Sequence, residues 1–162
     1  MKTKQLFVTD TDYHFMSEDT PIPNSLPAFH GAQILVVEDN AINFMVLEQQ
    51  LLKLQCKVSW AQTGEAGLEL FTQNTFACVL MDCMLPGMSG LECTQHIRQH
   101  EKEQNQARTP IIALTADVRD SNKQACFDVD MDDFMGKPFK FADLNKILEL
   151  WVNQQNSIEK PV

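Results

Sequence analysis

The feature that most constrains this chain is the run Ala77-Cys78-Val79-Leu80-Met81, which passes directly into Asp82 and is halted by Pro86, Gly87 and Gly90. A short, unbroken apolar run between turn residues suits a strand buried on both faces of a parallel sheet; a buried helix segment shares the pattern, but the length favours a strand. Asp82 then stands at the strand's carboxyl end, the edge where open α/β sheets hold their ligands. A carboxylate placed straight after a buried strand needs a partner or a function, unless it merely opens the next turn.

The same pattern recurs along the chain. Ile34-Leu35-Val36-Val37 is a second apolar run and ends in Glu38 and Asp39. Asn40 is placed to cap a following helix in which Leu47, Leu51 and Leu54 share a face, with Val46 beside them. Lys57 to Trp60 is predicted as a short strand, and Thr63-Gly64-Glu65 opens a second helix carrying Ala66, Leu70 and Phe71. After the strand bearing Asp82 comes a helix from about Leu91 to Gln99. The polar stretch from Glu101 to Arg108 either extends that helix into solvent or forms a loop. Ile111-Ile112-Ala113-Leu114 is the fourth apolar run and ends in Thr115. A helix over roughly 119–129 precedes a short strand at Phe134 and Met135, which ends at Lys137-Pro138. A last helix, about 141–153, turns Leu144, Ile147, Leu148 and Trp151 inward. Strand and helix in strict alternation imply right-handed crossovers and a parallel sheet covered on both faces.

The 162 residues suit one domain with a sizeable core, predicted over 33–153, with tails at 1–32 and 154–162. Pro21, Pro23 and Pro27 among polar neighbours mark the first of these as a tail or linker. No segment approaches the roughly 20 apolar residues of a membrane span, and no signal-peptide core follows Met1, so a soluble cytoplasmic chain without membrane contact is expected. Five cysteines, an odd number without a Cys-x-x-Cys pair, fit a reducing compartment. A net charge of -9 opposes binding to a phosphate backbone, so no nucleic-acid partner is expected.

That acidity suits a site that gathers carboxylates around a cation. In a parallel sheet all carboxyl ends share one edge, so Glu38, Asp39, Asp82, Thr115 and Lys137 should converge. Three carboxylates held together need a cation, and oxygen ligands with room for water and phosphate suit Mg²⁺. With the Lys137 charge and the Thr115 hydroxyl, such a site can stabilise a phosphoryl group during in-line attack by Asp82, giving an acyl phosphate.

Four motifs now match a family. Glu38-Asp39-Asn40-x-x-Asn43, Met81-Asp82-x-Met84-Leu85-Pro86-x-Met88-x-Gly90, Ala113-Leu114-Thr115-Ala116 and Phe134-x-x-Lys137-Pro138-Phe139 resemble response-regulator receiver domains of two-component signalling, over about 33–152. The wording around Glu38 is most like receivers attached to hybrid sensor histidine kinases. The resemblance implies a CheY-like, flavodoxin-like (βα)5 fold with strand order 2-1-3-4-5. It implies that Asp82 accepts the phosphoryl group from a histidine kinase or histidine phosphotransfer protein. It further implies that Asp39, Asp82 and the Met84 carbonyl hold Mg²⁺ directly, and that Glu38 acts mainly through a metal-bound water. Thr115 and Lys137 would hold the phosphoryl oxygens, with small Ala116 leaving room. Phe134 would be the aromatic that turns inward as Thr115 moves.

Gln55 and Asp130 stand where that family commonly has glycine, and Ser89 where Asp is common. If either backbone needs a positive φ, the cost is about 1 kcal/mol, less for Asp. Asp10-Thr11-Asp12 resembles the start of haloacid-dehalogenase-type phosphatases, but the Pro-rich segment after it offers no helix to complete the unit. Cys93, His96 and His100 imitate a zinc set lacking its fourth ligand. Asp128, Asp130 and Asp132 imitate a calcium loop whose sixth and twelfth positions are wrong. Cys83 is expected to be a packing residue. Two alternatives to a working receiver remain: a Mg²⁺-dependent phosphatase with an Asp nucleophile, and a degenerate receiver that only binds partners. With few residues after the last helix, output is expected through partner proteins or through the rest of a longer chain.

Overall fold

The computed structural model describes residues 29–117 and 119–152. Strands and helices alternate as β1 (Gln33–Val37), α1 (Ala41–Lys53), β2 (Lys57–Ala61), α2 (Gly64–Gln73), β3 (Cys78–Asp82), α3 (Gly90–Glu103), β4 (Ile111–Thr115), α4 (Asp120–Asp128), β5 (Asp133–Gly136) and α5 (Phe141–Trp151). All neighbouring strands pair in parallel, in the order β2-β1-β3-β4-β5. The expected doubly wound sheet is therefore the one found.

Because side chains alternate across a strand, each apolar run supplies both faces of the sheet. Ile34, Val36, Cys78, Leu80, Ile112, Leu114 and Met135 pack with Leu47 and Leu51 of α1 and Leu144, Ile147 and Leu148 of α5. Leu35, Val37, Val79, Met81, Ile111 and Ala113 pack with Phe71 of α2 and Cys93 and Ile97 of α3. This double burial is why β3 and β4 carry no polar residue until their last position and β1 none after its first.

Helices α1, α2 and α3 start in the connections that follow the strand ends and are capped by side chains. Asn40 accepts the N–H groups of Ile42 and Asn43, Thr63 accepts that of Ala66, and Ser89 forms a reciprocal capping box with Glu92. Ser89, where Asp is common in the resembled family, is thus an equivalent cap. Gly90 is fixed by space: a Cβ there would lie 2.0 Å from the Asp82 carbonyl oxygen, so only glycine lets α3 start against the end of β3.

Several details differ from the sequence expectation. Phe29, ahead of β1, is buried in the core, and its N–H donates to the Leu54 carbonyl. Val46 is 41% exposed, outside the buried face of α1. Helix α3 continues to Glu103, and Glu101 near its end is buried. Trp151 is only partly buried; its indole N–H donates to Asp133. No described helix is long and apolar enough to cross a membrane. Asp10-Thr11-Asp12 and the predicted tail at 154–162 lie outside the described residues.

Candidate functional site

Strand register brings the polar groups to one edge. Val37 lies beside Ala61 and Met81, Asp82 beside Leu114, and Thr115 beside Gly136. Glu38, Asp82, Thr115 and Lys137 therefore end neighbouring strands at nearly the same level.

Lys137 joins the two buried acids. Its Nζ is 3.0 Å from Asp82 Oδ2 and 3.1 Å from Glu38 Oε2. The other Asp82 oxygen accepts the Met84 N–H at 3.0 Å. Glu38 Oε1 accepts the Asn40 N–H at 3.0 Å and the Asn43 amide at 3.3 Å. The Glu38 carbonyl takes the Trp60 indole N–H at 2.8 Å, and Trp60 stacks on Phe44 of α1. Glu38 is thus held at both its main chain and its carboxylate.

One oxygen is left over: Glu38 Oε2 is buried and is met, among the described residues, only by the Lys137 ammonium at 3.1 Å. Burial pushes the Glu38 carboxyl above the usual range; the Asn40 N–H opposes this, the Asp82 charge adds to it, and Lys137 opposes it. Burial also works against the Lys137 ammonium, but hydrogen bonds and charge from Asp82 and Glu38 outweigh it and hold its pKa above the ordinary lysine value.

Glu38, Asp39 and Asp82 each present a carboxylate oxygen within 4.8 Å of the others, with Asp39 exposed at the mouth. An oxygen-only donor set, one of whose buried oxygens is met by Lys137 alone among the described residues, fits a hard divalent cation. Among the described residues this is the one group of three acidic, histidine or cysteine side chains so placed. The Cys93, His96 and His100 set is not drawn together: Cys93 bonds the Gly64 carbonyl, His96 is exposed and His100 packs edge-on against Phe71.

Thr115 is at the same edge but engaged elsewhere. Its hydroxyl donates to the Asp117 carbonyl at 2.8 Å and accepts the Asp117 N–H. Ala116 and Met84 are exposed, Met84 at 82%. Phe134 is half-buried on β5, with the Phe127 ring edge-on at 6.4 Å and the Lys123 ammonium 4.4 Å over its face.

Sequence patterns did not reveal three arrangements around this site. The Trp60 tether is one, because nothing local marks an indole as the partner of a carbonyl 22 positions away. The second is an ion cluster of Arg98, Glu101, Arg108 and Asp132, which ties α3 to the start of β4 and the turn before β5. The third is a contact between the Cys83 and Cys126 sulfurs at 3.5 Å. Cys83 does pack, as expected, but against another thiol; burial, the Cys126 sulfur and the Asp82 charge all raise the Cys83 pKa.

Fold and site together define a doubly wound α/β protein with an acid-lined cleft and one lysine at the carboxyl edge of its sheet. The response regulator receiver domain model matches residues 34–149, and the chain belongs to that family. Hybrid signal transduction histidine kinase A of Dictyostelium discoideum is 37% identical over 149 residues, covering 91% of this chain and 7% of that protein. Sensor protein GacS of Pseudomonas syringae pv. syringae is 34% identical over 119 residues, 74% of this chain and 13% of its own length. The chain thus spans a small fraction of these kinases. Among solved structures, the receiver domain of sensor histidine kinase PA1611 from Pseudomonas aeruginosa, with a magnesium ion coordinated in its active site cleft, is 36% identical with a TM-score of 0.69, covering 76% of this chain and 98% of that one. A chain in the co-crystal structure of the Saccharomyces cerevisiae phosphotransfer protein Ypd1 with the receiver domain of Ssk1 is 29% identical, TM-score 0.75, covering 79% and 93%.

Proposed function

We propose that the chain takes a phosphoryl group onto Asp82 from a phosphohistidine, carried by a histidine kinase or a histidine phosphotransfer protein, and passes the change to partners through its conformation. The observation that carries this is the Lys137 ammonium between the Asp82 and Glu38 carboxylates, three residues from three strand ends. An Asp82 oxygen attacks phosphorus as the histidine N–P bond breaks, and the leaving imidazole takes up a proton. The product is an acyl phosphate. Lys137, already at Asp82, stays to neutralise the incoming phosphoryl oxygens. Asp39, Asp82 and the Met84 carbonyl would hold Mg²⁺, with Glu38 acting mainly through water; the ion supplies positive charge for the phosphoryl oxygens. Thr115 must give up its bond to the Asp117 carbonyl to reach the phosphoryl group, and Phe134 follows by turning inward from Phe127 and Lys123. The Mg²⁺-containing relative and the Ypd1 complex support the ion and the donor class.

Incubation with acetyl phosphate and Mg²⁺ tests this. One phosphoryl group per chain should appear on Asp82, and none in Asp82→Asn. Continuous phosphate release from added phosphomonoesters would mean a phosphatase instead, and no labelling with Mg²⁺ present would leave an interaction module.

A further inference from the structure

We propose that Cys83 and Cys126 are a reversible redox pair whose disulfide takes the phosphoacceptor site out of use. The two sulfurs face each other at 3.5 Å, which leaves about 1.5 Å to close to a disulfide bond. Each of the other three thiols points instead at a backbone carbonyl: Cys56 at Leu54, Cys78 at Val79 and Cys93 at Gly64. Cys83 is partly exposed and Cys126 is buried, so an oxidant meets Cys83 first.

The closing movement falls on the helix best able to make it. Cys126 is the single buried side chain among those described on α4, and the Arg119 side chain makes no capping bond at the start of that helix. At the other end, Cys83 lies between Asp82 and Met84, whose N–H bonds the Asp82 carboxylate. Pulling Cys83 toward α4 shifts the peptide that orients Asp82 and presents the Met84 carbonyl. Phe127, next to Cys126, packs on Phe134, so the same bond also pins that aromatic.

The chemistry requires a hydroperoxide as oxidant. The Cys83 sulfur takes the distal oxygen as the O–O bond breaks, giving a sulfenic acid and releasing water or an alcohol. The Cys126 sulfur then attacks that sulfur, its proton leaves with the displaced hydroxyl as water, and the S–S bond forms. A dithiol reductant reverses the step by thiol–disulfide exchange.

The effect on Asp82 rests on the phosphoacceptor role proposed above, so the experiment separates the two. The reduced full chain is treated with hydrogen peroxide, remaining thiols are alkylated, and peptides are mapped by mass spectrometry without reduction. In parallel, Asp82 labelling by acetyl phosphate and Mg²⁺ is followed. Cross-linked Cys83 and Cys126 peptides, and a loss of labelling that dithiothreitol restores, are expected. Cys126→Ala should label like the reduced wild type before and after peroxide. Absence of the cross-link, cross-linking of Cys56 to Cys78 instead, or unchanged labelling in the cross-linked chain would overturn the redox proposal. Failure of the reduced chain to label would overturn the phosphoacceptor role, whatever the thiols do.

Discussion

At the residue scale, Lys137 is the counter-ion of two buried acids, and this sets how stability depends on charge. Lys137→Met removes the only cation bound to Asp82 and Glu38 among the described residues, leaving two carboxylates facing each other. Buried charges stripped of a partner cost roughly 1–3 kcal/mol, so the metal-free variant should unfold at lower urea concentration than wild type. Mg²⁺ should stabilise the variant more than the wild type, because it supplies the missing positive charge. The pH dependence has a definite sign. Folding raises the Lys137 pKa, so its contribution is full below the ordinary value of 10.5 and fades as pH climbs through the folded value. The stability gap between wild type and Lys137→Met should therefore hold through neutral pH and close at alkaline pH; urea titrations at pH 7, 9 and about 11 check this. A gap that widened above pH 10 would refute it. The meeting of Glu38, Asp39, Asp82 and Lys137 was legible in the sequence because each lies at or just past a strand end, and a parallel sheet aligns such ends without further information. The Thr115 bond to Asp117 was not legible, since a hydroxyl has several local partners within reach and only the loop's path selects one.

At the scale of elements, three helices end in the same way without glycine. After α1, Gln55 (φ 61) donates to the Leu52 carbonyl and Cys56 to that of Leu51; Asn105 (φ 52) with Gln106 repeats the pair after α3, and Asp130 (φ 65) with Met131 after α4. These are Schellman closures, in which glycine is favoured at the left-handed position. The departures from glycine at Gln55 and Asp130 thus fall where a positive φ is required. Gln55→Gly should raise stability by about 0.5–1 kcal/mol, with a smaller gain for Asp130→Gly because Asp tolerates this region; chemical denaturation measures both. The ion cluster makes a larger prediction. Asp132 accepts from Arg98 and Arg108 and from the Ile111 N–H, while Glu101 accepts from Arg98 and the Thr109 N–H. Asp132→Ala leaves Arg98 nearly buried with part of its hydrogen bonding gone, and should cost about 3 kcal/mol. Asp132→Asn, which keeps the shape, should cost less. Equal losses would show that packing, not charge, governs this corner. From sequence the polar stretch from Glu101 to Arg108 could be a solvated extension or a loop, because charge composition alone does not distinguish a surface from a cluster whose members meet only when α3, β4 and β5 are assembled.

At the scale of the whole molecule, one side of the site is unusually apolar. Ile42, Met45 and Val46 lie three and four residues apart on α1, so they share a helix face, and they are exposed at 72%, 59% and 41%. Helix α1 begins two residues after Asp39, and exposed Met84 directly follows the loop residue beside Asp82. Exposed apolar groups are ordinary singly but mark contact surfaces when grouped. In the transfer proposed above, a phosphohistidine comes within bonding distance of Asp82, so its carrier would have to cover the surface beside the cleft. The periodicity placed α1 correctly but not its second apolar stripe, since Val46 matched the core pattern as well as the outer one. Docking through these side chains predicts that Ile42→Gln combined with Met45→Gln slows phosphotransfer from a phosphohistidine protein about tenfold or more, as expected for losing interface anchors worth 1–2 kcal/mol. Labelling by acetyl phosphate, too small to touch α1, should stay at the wild-type rate, and the neutral substitutions leave the charge around the cleft unaltered. If both donors slowed together, the apolar face would be supporting the site's own geometry; if neither slowed, the carrier approaches from another side.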